Sequence, residues 1–495
     1  MKQTEMAKGP MVSFLVVMFI AILLMDMTAF AQGASQPRYL LFQIFTYGAA
    51  MPEGKGVHLI TKAEITQLVD EVLNAVGQKR GDHVNRQIGF VIGPLALDMT
   101  DTQIRALIKE MFVLAEVKDV AVGFHIDDSM FYKRRKDLWS NHDNVEWSDW
   151  QGTIVPHRFL AWGGPENPAV QLAPPMCYNS PTIKAEVSRI ARDVIGAEIK
   201  KGMDHLQAIG KPYLFAGVIS GWETRMQDDS NPPRYYGYCA LHNLGFSAQK
   251  PPSDPDAELV GVLTDWNILW DKSLRGAGIP RERIYTHVAY PGEPPPGAFV
   301  NPVRDLYHHA TPETAFNDYS RPGFTIYGQV SFSSLYKVLE RHGNIPWGIS
   351  EGNNIPLNPD IFNGSPFTPP VTMEHYLAKA FNHGADYVNL FGWGTHNSPF
   401  EQTLKASLSL SAFQRFLDGE QLEDGPPLME GDEDWSLPKK IRKIQTEAPV
   451  WASGHPERQA KIAPLFQKLE SAIKANKFQQ ANHIAGEILA LISTT

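Results

Sequence analysis

The chain has 495 residues, 43% hydrophobic and 20% charged, ordinary for a folded globular protein and long enough for one large core with an appendage. Lys and Arg number 45 against 54 Asp and Glu, a formal charge of −9, so composition gives no electrostatic footprint for nucleic acid. The 11 Trp and 16 Tyr are accounted for mainly by core packing, although sugar-binding clefts also use exposed aromatic faces.

The chain starts with a basic segment containing Lys2 and Lys8. A 13-residue apolar stretch, Val12–Leu24, follows, and Ala29-Phe30-Ala31 has the small residues that a signal peptidase reads. Thirteen residues fall short of the about 20 that span a bilayer. Residues 1–31 are therefore expected to be a removable export signal, and the mature protein to be secreted or periplasmic without stable membrane insertion. Cys177 and Cys239 are the two cysteines, and in such a compartment they are candidates for one disulfide.

From residue 32 onward, short apolar runs alternate with helical stretches. Tyr39–Tyr47 reads as a first strand, and Thr61–Gln78 as a helix capped by Thr61. Gln87–Leu97 is a second strand, Thr102–Lys118 a helix, and Val120–Ile126 a third strand. A long loop rich in Trp, His and Asn runs to about residue 179. Thr182–Ile209 is a long helix and Tyr213–Ser220 the fourth strand. After a loop, Ala257–Arg275 is a helix and Arg283–Tyr290 the fifth strand. No good helix separates it from the sixth, Gly323–Gly328. Ser334–His342 is a helix, Ile345–Ser350 the seventh strand, Thr372–His383 a helix, Asp386–Trp393 the eighth strand, and Leu404–Leu417 a helix.

Eight strands alternating with helices predict an α/β fold, a closed (β/α)8 barrel over 32–418. A doubly wound open sheet alternates in the same way. The barrel is preferred because the long polar and aromatic loops all follow strands, whereas the helix-to-strand connections are short. Residues 419–456 are acidic and Pro-bearing and read as a linker or a wrapping tail. Residues 457–495 read as a C-terminal helical hairpin.

Two glutamates stand at the ends of strand-like runs, Glu223 after the fourth and Glu351 after the seventh. A carboxylate at the C-terminal end of a barrel strand sits where such barrels carry their chemistry. Two that face each other can cleave a glycosidic bond, one protonating the leaving oxygen and the other attacking or activating water. Trp222 beside Glu223 is placed to desolvate it. Asn353 and Asn354 are candidate donors to the second carboxylate or to sugar hydroxyls. His125, Asp127 and Asp128 form a polar cluster after strand three, able to touch sugar hydroxyls, hold a Ca²⁺ by oxygen ligands, or cap the next loop.

This placement resembles the clan A glycoside hydrolases, whose signature is a carboxylate ending strands four and seven of a (β/α)8 barrel. The segment Cys177-Tyr-Asn-Ser-Pro181 resembles a Cys-x-Asn-Ser-Pro segment of family 42 β-galactosidases. The resemblance implies that Glu223 is the acid/base and Glu351 the nucleophile of a retaining hydrolase. It implies that Tyr327 hydrogen-bonds the nucleophile and that Trp393 stacks on a sugar. Most clan members place Asn immediately before the acid/base, and here that residue is Trp222, which implies a divergent branch. The expected partner is a poly- or oligosaccharide, with no organic cofactor and no metal. The rival readings are a non-catalytic carbohydrate-binding barrel and a metal-assisted hydrolase using His125, Asp127 and Asp128. Gly-x-Ser-x-Gly, P-loop, His-Glu-x-x-His and Gly-rich dinucleotide segments are absent.

Overall fold

Eight parallel strands close into a barrel in chain order in the computed structural model of the protein. They are β1 (Arg38–Phe45), β2 (Arg86–Leu95), β3 (Ala121–Ile126), β4 (Phe215–Ser220), β5 (Ile284–Ala289), β6 (Arg321–Tyr327), β7 (Trp347–Asn353) and β8 (Ala385–Leu390). The structure describes residues 37–46, 59–78, 85–96, 99–128, 135–155, 173–226, 236–289, 309–328, 332–355, 372–395, 398–425, 437–474 and 478–493. All but Pro37 belong to the unit Arg38–Thr495, and the expected export signal lies outside the described residues.

Side chains alternate along each strand, which sorts them into two layers. Tyr39 and Leu41 of β1 point inward and meet Val91, Ala121, Ala216, Ile219, Tyr285 and Tyr387 inside the barrel. Leu40, Phe42 and Ile44 point outward into the larger core under the helices. Thr61 caps the first helix, Lys62–Val76, through a reciprocal pair with Glu64.

The structure departs from the sequence reading in several places. The long helix before β4 is split into Pro181–Arg189 and Ala197–Ala208 by a π-helical segment, Ile190–Gly196. The helix expected over Leu404–Leu417 is two, Pro399–Lys405 and Ser407–Leu417, because Ala406 between them is extended. Strand β7 runs three residues past Ser350, so Glu351 lies inside a strand rather than just beyond one. Between β5 and β6 the described residues hold a short 3-10 turn, Pro312–Ala315, and no longer helix.

The segment read as a linker or wrapping tail contains a helix, Leu437–Ala452. It packs on Phe478–Ser493, which also packs on Pro456–Lys474. The three share their own apolar cluster, including Ile444, Ala448, Ile462, Leu469 and Ile488, separate from the barrel core. Cutting at residue 456 would strip Ile444 and Ala448 of their partners. A chain ending near residue 436 is therefore expected to keep the barrel melting transition and all chemistry, with the melting curve and turnover as the measurements. No helix among the described residues is long and apolar enough to cross a membrane.

Cys177 and Cys239 are both buried free thiols, close enough to hydrogen-bond each other. Glu146 lies against them, accepting the Cys239 N–H at 3.2 Å. Burial pushes its carboxyl up to about 8. The folded state then holds a proton that the unfolded chain releases near 4.5. This contribution to stability is complete below the unfolded value and is lost as pH rises through about 8. Glu146→Gln, which is neutral at every pH, should flatten the fall in melting temperature between about pH 5 and 9 relative to wild type. Equal slopes would show that Glu146 is already ionised in the fold.

Candidate active site

Glu223 is placed by a bracketed turn. After β4 the chain bends at Gly221, whose φ of +106° suits glycine, and Glu223 itself has φ +55°. A left-handed non-glycine residue costs on the order of 1 kcal/mol and needs outside support. Asp128, just past β3, supplies it. Its carboxylate accepts the Trp222 N–H at 3.0 Å and the Trp266 indole N–H at 2.8 Å, and also accepts the Thr224 hydroxyl. Asp128 thus holds the residues on both sides of Glu223, and burial pushes its own carboxyl up.

Glu351 arrives differently. It is buried in β7 and registers with Thr325 of β6. The Tyr327 hydroxyl, two residues further along β6, donates to Glu351 Oε1 at 2.7 Å. Thr325 Oγ1 is hydrogen-bonded to Glu223 Oε1. Residues two apart on a strand share a face. One face of β6 therefore holds both glutamates, and the pair meets at the C-terminal end of the barrel.

Glu351 is pushed up to about 8, first by burial and second by the charge of Glu223, with the Tyr327 hydrogen bond pulling the other way. Its Oε2 has no hydrogen-bond partner among the described residues. Tyr327 is pushed well up by burial and by Glu351, so it stays a neutral donor.

Behind Glu223 runs a chain of buried polar groups that the sequence reading did not assemble. His287 Nε2 lies 2.7 Å from Thr325 Oγ1, and His287 Nδ1 lies 2.9 Å from His125 Nε2. His125 Nδ1 lies 3.1 Å from Gln43 Oε1. Both rings are neutral, because burial lowers His125 well below its usual range and lowers His287 to about 4. A signal for these residues existed. Gln43, His125, His287 and Asn389 are each a polar residue on the inward alternation of its strand, two residues after Leu41, Gly123, Tyr285 and Tyr387.

Trp222 is half-buried and stacks face to face on His125, with centroids 3.9 Å apart and planes at 10°. His125 is fully covered, and its nitrogens face Gln43 Oε1, Gly221 O and His287 Nδ1. Asp127 is buried at the end of β3, its backbone N–H bonded to Leu95 O. Asn353 donates to the carbonyls of Phe391 at 3.1 Å and Phe400 at 3.3 Å, which ties β7 to the segment after β8. Trp393 is buried. It packs in the outer core edge-on to Phe42 at 5.6 Å, under the ammonium of Lys405. Among the described residues no group of three or more His, Cys, Asp or Glu is gathered for a metal.

No protein-family model and no curated protein matches the chain, so the family 42 likeness stays with its five residues. Solved structures do match. One is a Flavobacterium johnsoniae chitobiase, at 10% identity and TM-score 0.36 over 86% of this chain and 53% of that one. A second is the catalytic domain of a Bacillus sp. JAMB-750 GH26 endo-β-1,4-mannanase, at 13% and 0.35 over 77% and 90%. A third is a Parabacteroides distasonis sugar phosphate isomerase/epimerase, at 10% and 0.32 over 79% and 98%. The chain thus spans about half the length of the chitobiase.

Proposed function

We propose that the protein is an exported glycoside hydrolase that cleaves a poly- or oligosaccharide by double displacement at Glu223 and Glu351. The observation that supports this best is the pairing on β6, with Thr325 on Glu223 and Tyr327 on Glu351, together with a buried Glu351 Oε2 that has no hydrogen-bond partner among the described residues.

In this reading Glu351 Oε2 attacks the anomeric carbon while Glu223 gives its proton to the leaving oxygen. The C–O bond to the leaving group breaks as the glycosyl ester forms. Glu223, now ionised, takes a proton from water, and the water oxygen displaces the ester and frees Glu351. Tyr327 follows the charge on Glu351. Its hydrogen bond is strongest when the carboxylate is anionic, before attack and after release, and weakest in the ester. The half-buried Trp222 lowers water access on the Glu223 side.

Incubation with a panel of glycans and aryl glycosides, with product anomers followed by proton NMR, tests the reading. Hydrolysis by wild type with retained configuration, lost in both Glu223→Gln and Glu351→Gln, supports it. Hydrolysis that persists in both variants overturns it.

A further inference from the structure

We propose that Cys177 and Cys239 are oxidised to a disulfide as the chain folds, and that this bond fastens the turn carrying Glu223. The inference stands on the packing of the two thiols and draws on the export reading only for an oxidising compartment.

Cys177 lies in the segment leading into the helix Pro181–Arg189, and Cys239 in the short helix Tyr238–Asn243 after β4. Both are fully buried, and the two thiols are within hydrogen-bonding reach of each other. One donor touches both sulfurs. Asn243 Nδ2 lies 3.3 Å from Cys177 Sγ and 4.0 Å from Cys239 Sγ. The two segments are also tied independently of the sulfurs. Asn179, just past Cys177, donates to Ala240 O at 2.9 Å and accepts from Asn243 Nδ2 at 3.1 Å. The fold thus brings the sulfurs together whether or not they are bonded. The sequence holds no third cysteine to offer a rival pairing.

The chemistry is thiol–disulfide exchange with a small-molecule disulfide as the oxidant. One cysteine thiolate attacks an oxidant sulfur, forms a mixed disulfide and expels a thiolate. The second cysteine thiolate attacks the protein sulfur of that mixed disulfide and expels the other half. One S–S bond forms between Cys177 and Cys239. The oxidant leaves as two thiols, having taken up two electrons and the two cysteine protons. Burial pushes the Cys177 thiol well up, so the packed pair is a poor nucleophile. The exchange therefore belongs to the stage of folding at which both sulfurs still meet solvent.

The loop that the bond closes contains β4, Gly221 and Glu223. Its two ends already reach the turn. Tyr178, next to Cys177, donates its hydroxyl to Arg225 O at 3.2 Å. Tyr236, shortly before Cys239, donates to the same oxygen at 3.1 Å. Arg225 stands just past Glu223 and Thr224. Asp128 grips the turn from the β3 side at Trp222 and Thr224, and the two tyrosines grip it downstream. Joining Cys177 to Cys239 holds the segments that bear the tyrosines together, so both stay on Arg225 O.

Refolding the full-length chain in a mixture of reduced and oxidised glutathione tests this. Free thiols are capped with a maleimide after unfolding, and the mass is read. The refolded chain should be two hydrogens lighter than the reduced one and carry neither maleimide nor glutathione. Digestion should yield one pair of peptides joined at Cys177 and Cys239. The oxidised protein should melt on the order of 5 °C above the same protein fully reduced. Amide hydrogen exchange over residues 222–226 should be slower in the oxidised form. The double variant Cys177→Ser, Cys239→Ser should show neither change when the redox buffer is changed. Two capped thiols, or glutathione held on either cysteine, overturn the proposal. So does an oxidised form that melts no higher than the reduced one. A bond that leaves exchange over 222–226 unchanged overturns the fastening. Wild type supplies both redox forms, so the test survives a double variant that does not fold. No readout uses turnover, so failure of the hydrolase reading would be seen separately.

Discussion

Glu351→Ala is expected to abolish turnover of every substrate, by on the order of 10⁴-fold or more, as removal of a covalent nucleophile does. The leaving group should not matter, because no substrate has an alternative covalent route. The fold should survive. Glu351 is buried with one bare oxygen and is pushed up to about 8, so removing it relieves a burial cost. Its melting temperature at pH 8 should equal or exceed that of wild type. Residual activity above about 1% on good substrates would show that Glu351 is not the attacking group, and the carboxylate that attacks would have to be Glu223.

Glu223→Ala should fail selectively. Loss of the general acid costs about 10²–10⁴-fold, and the cost concentrates on poor leaving groups that need protonation. Activated aryl glycosides should keep most of their first-step rate, since Glu351 still attacks. Azide should then restore turnover by displacing the glycosyl ester without base help, giving a glycosyl azide of retained configuration. If aryl and natural substrates fall equally and azide changes nothing, Glu223 is not the acid/base.

The barrel was legible because its strands are apolar runs with period-two inward faces and its helices carry caps such as Thr61. The two glutamates were legible because a charge ending such a run needs a reason to be there. What alternation cannot report is depth and neighbours. His287 read as one residue of a fifth strand, yet it sits between His125 and Thr325, which are 162 and 38 residues away along the chain. Trp393 is buried edge-on to Phe42, a contact that its place after β8 does not announce. Helix Leu437–Ala452 was hidden by Pro449 and by an acidic stretch before it. Its apolar positions make sense only against the last helix.

Strand β6 has a mechanical consequence. Thr325 and Tyr327 are two residues apart, about 7 Å along the strand, and each grips one carboxylate. Both carboxylates are therefore referenced to one strand, and a displacement of β6 would reach both of them. Conversely, a one-residue slip of β6 would turn both grips to the outer face at once.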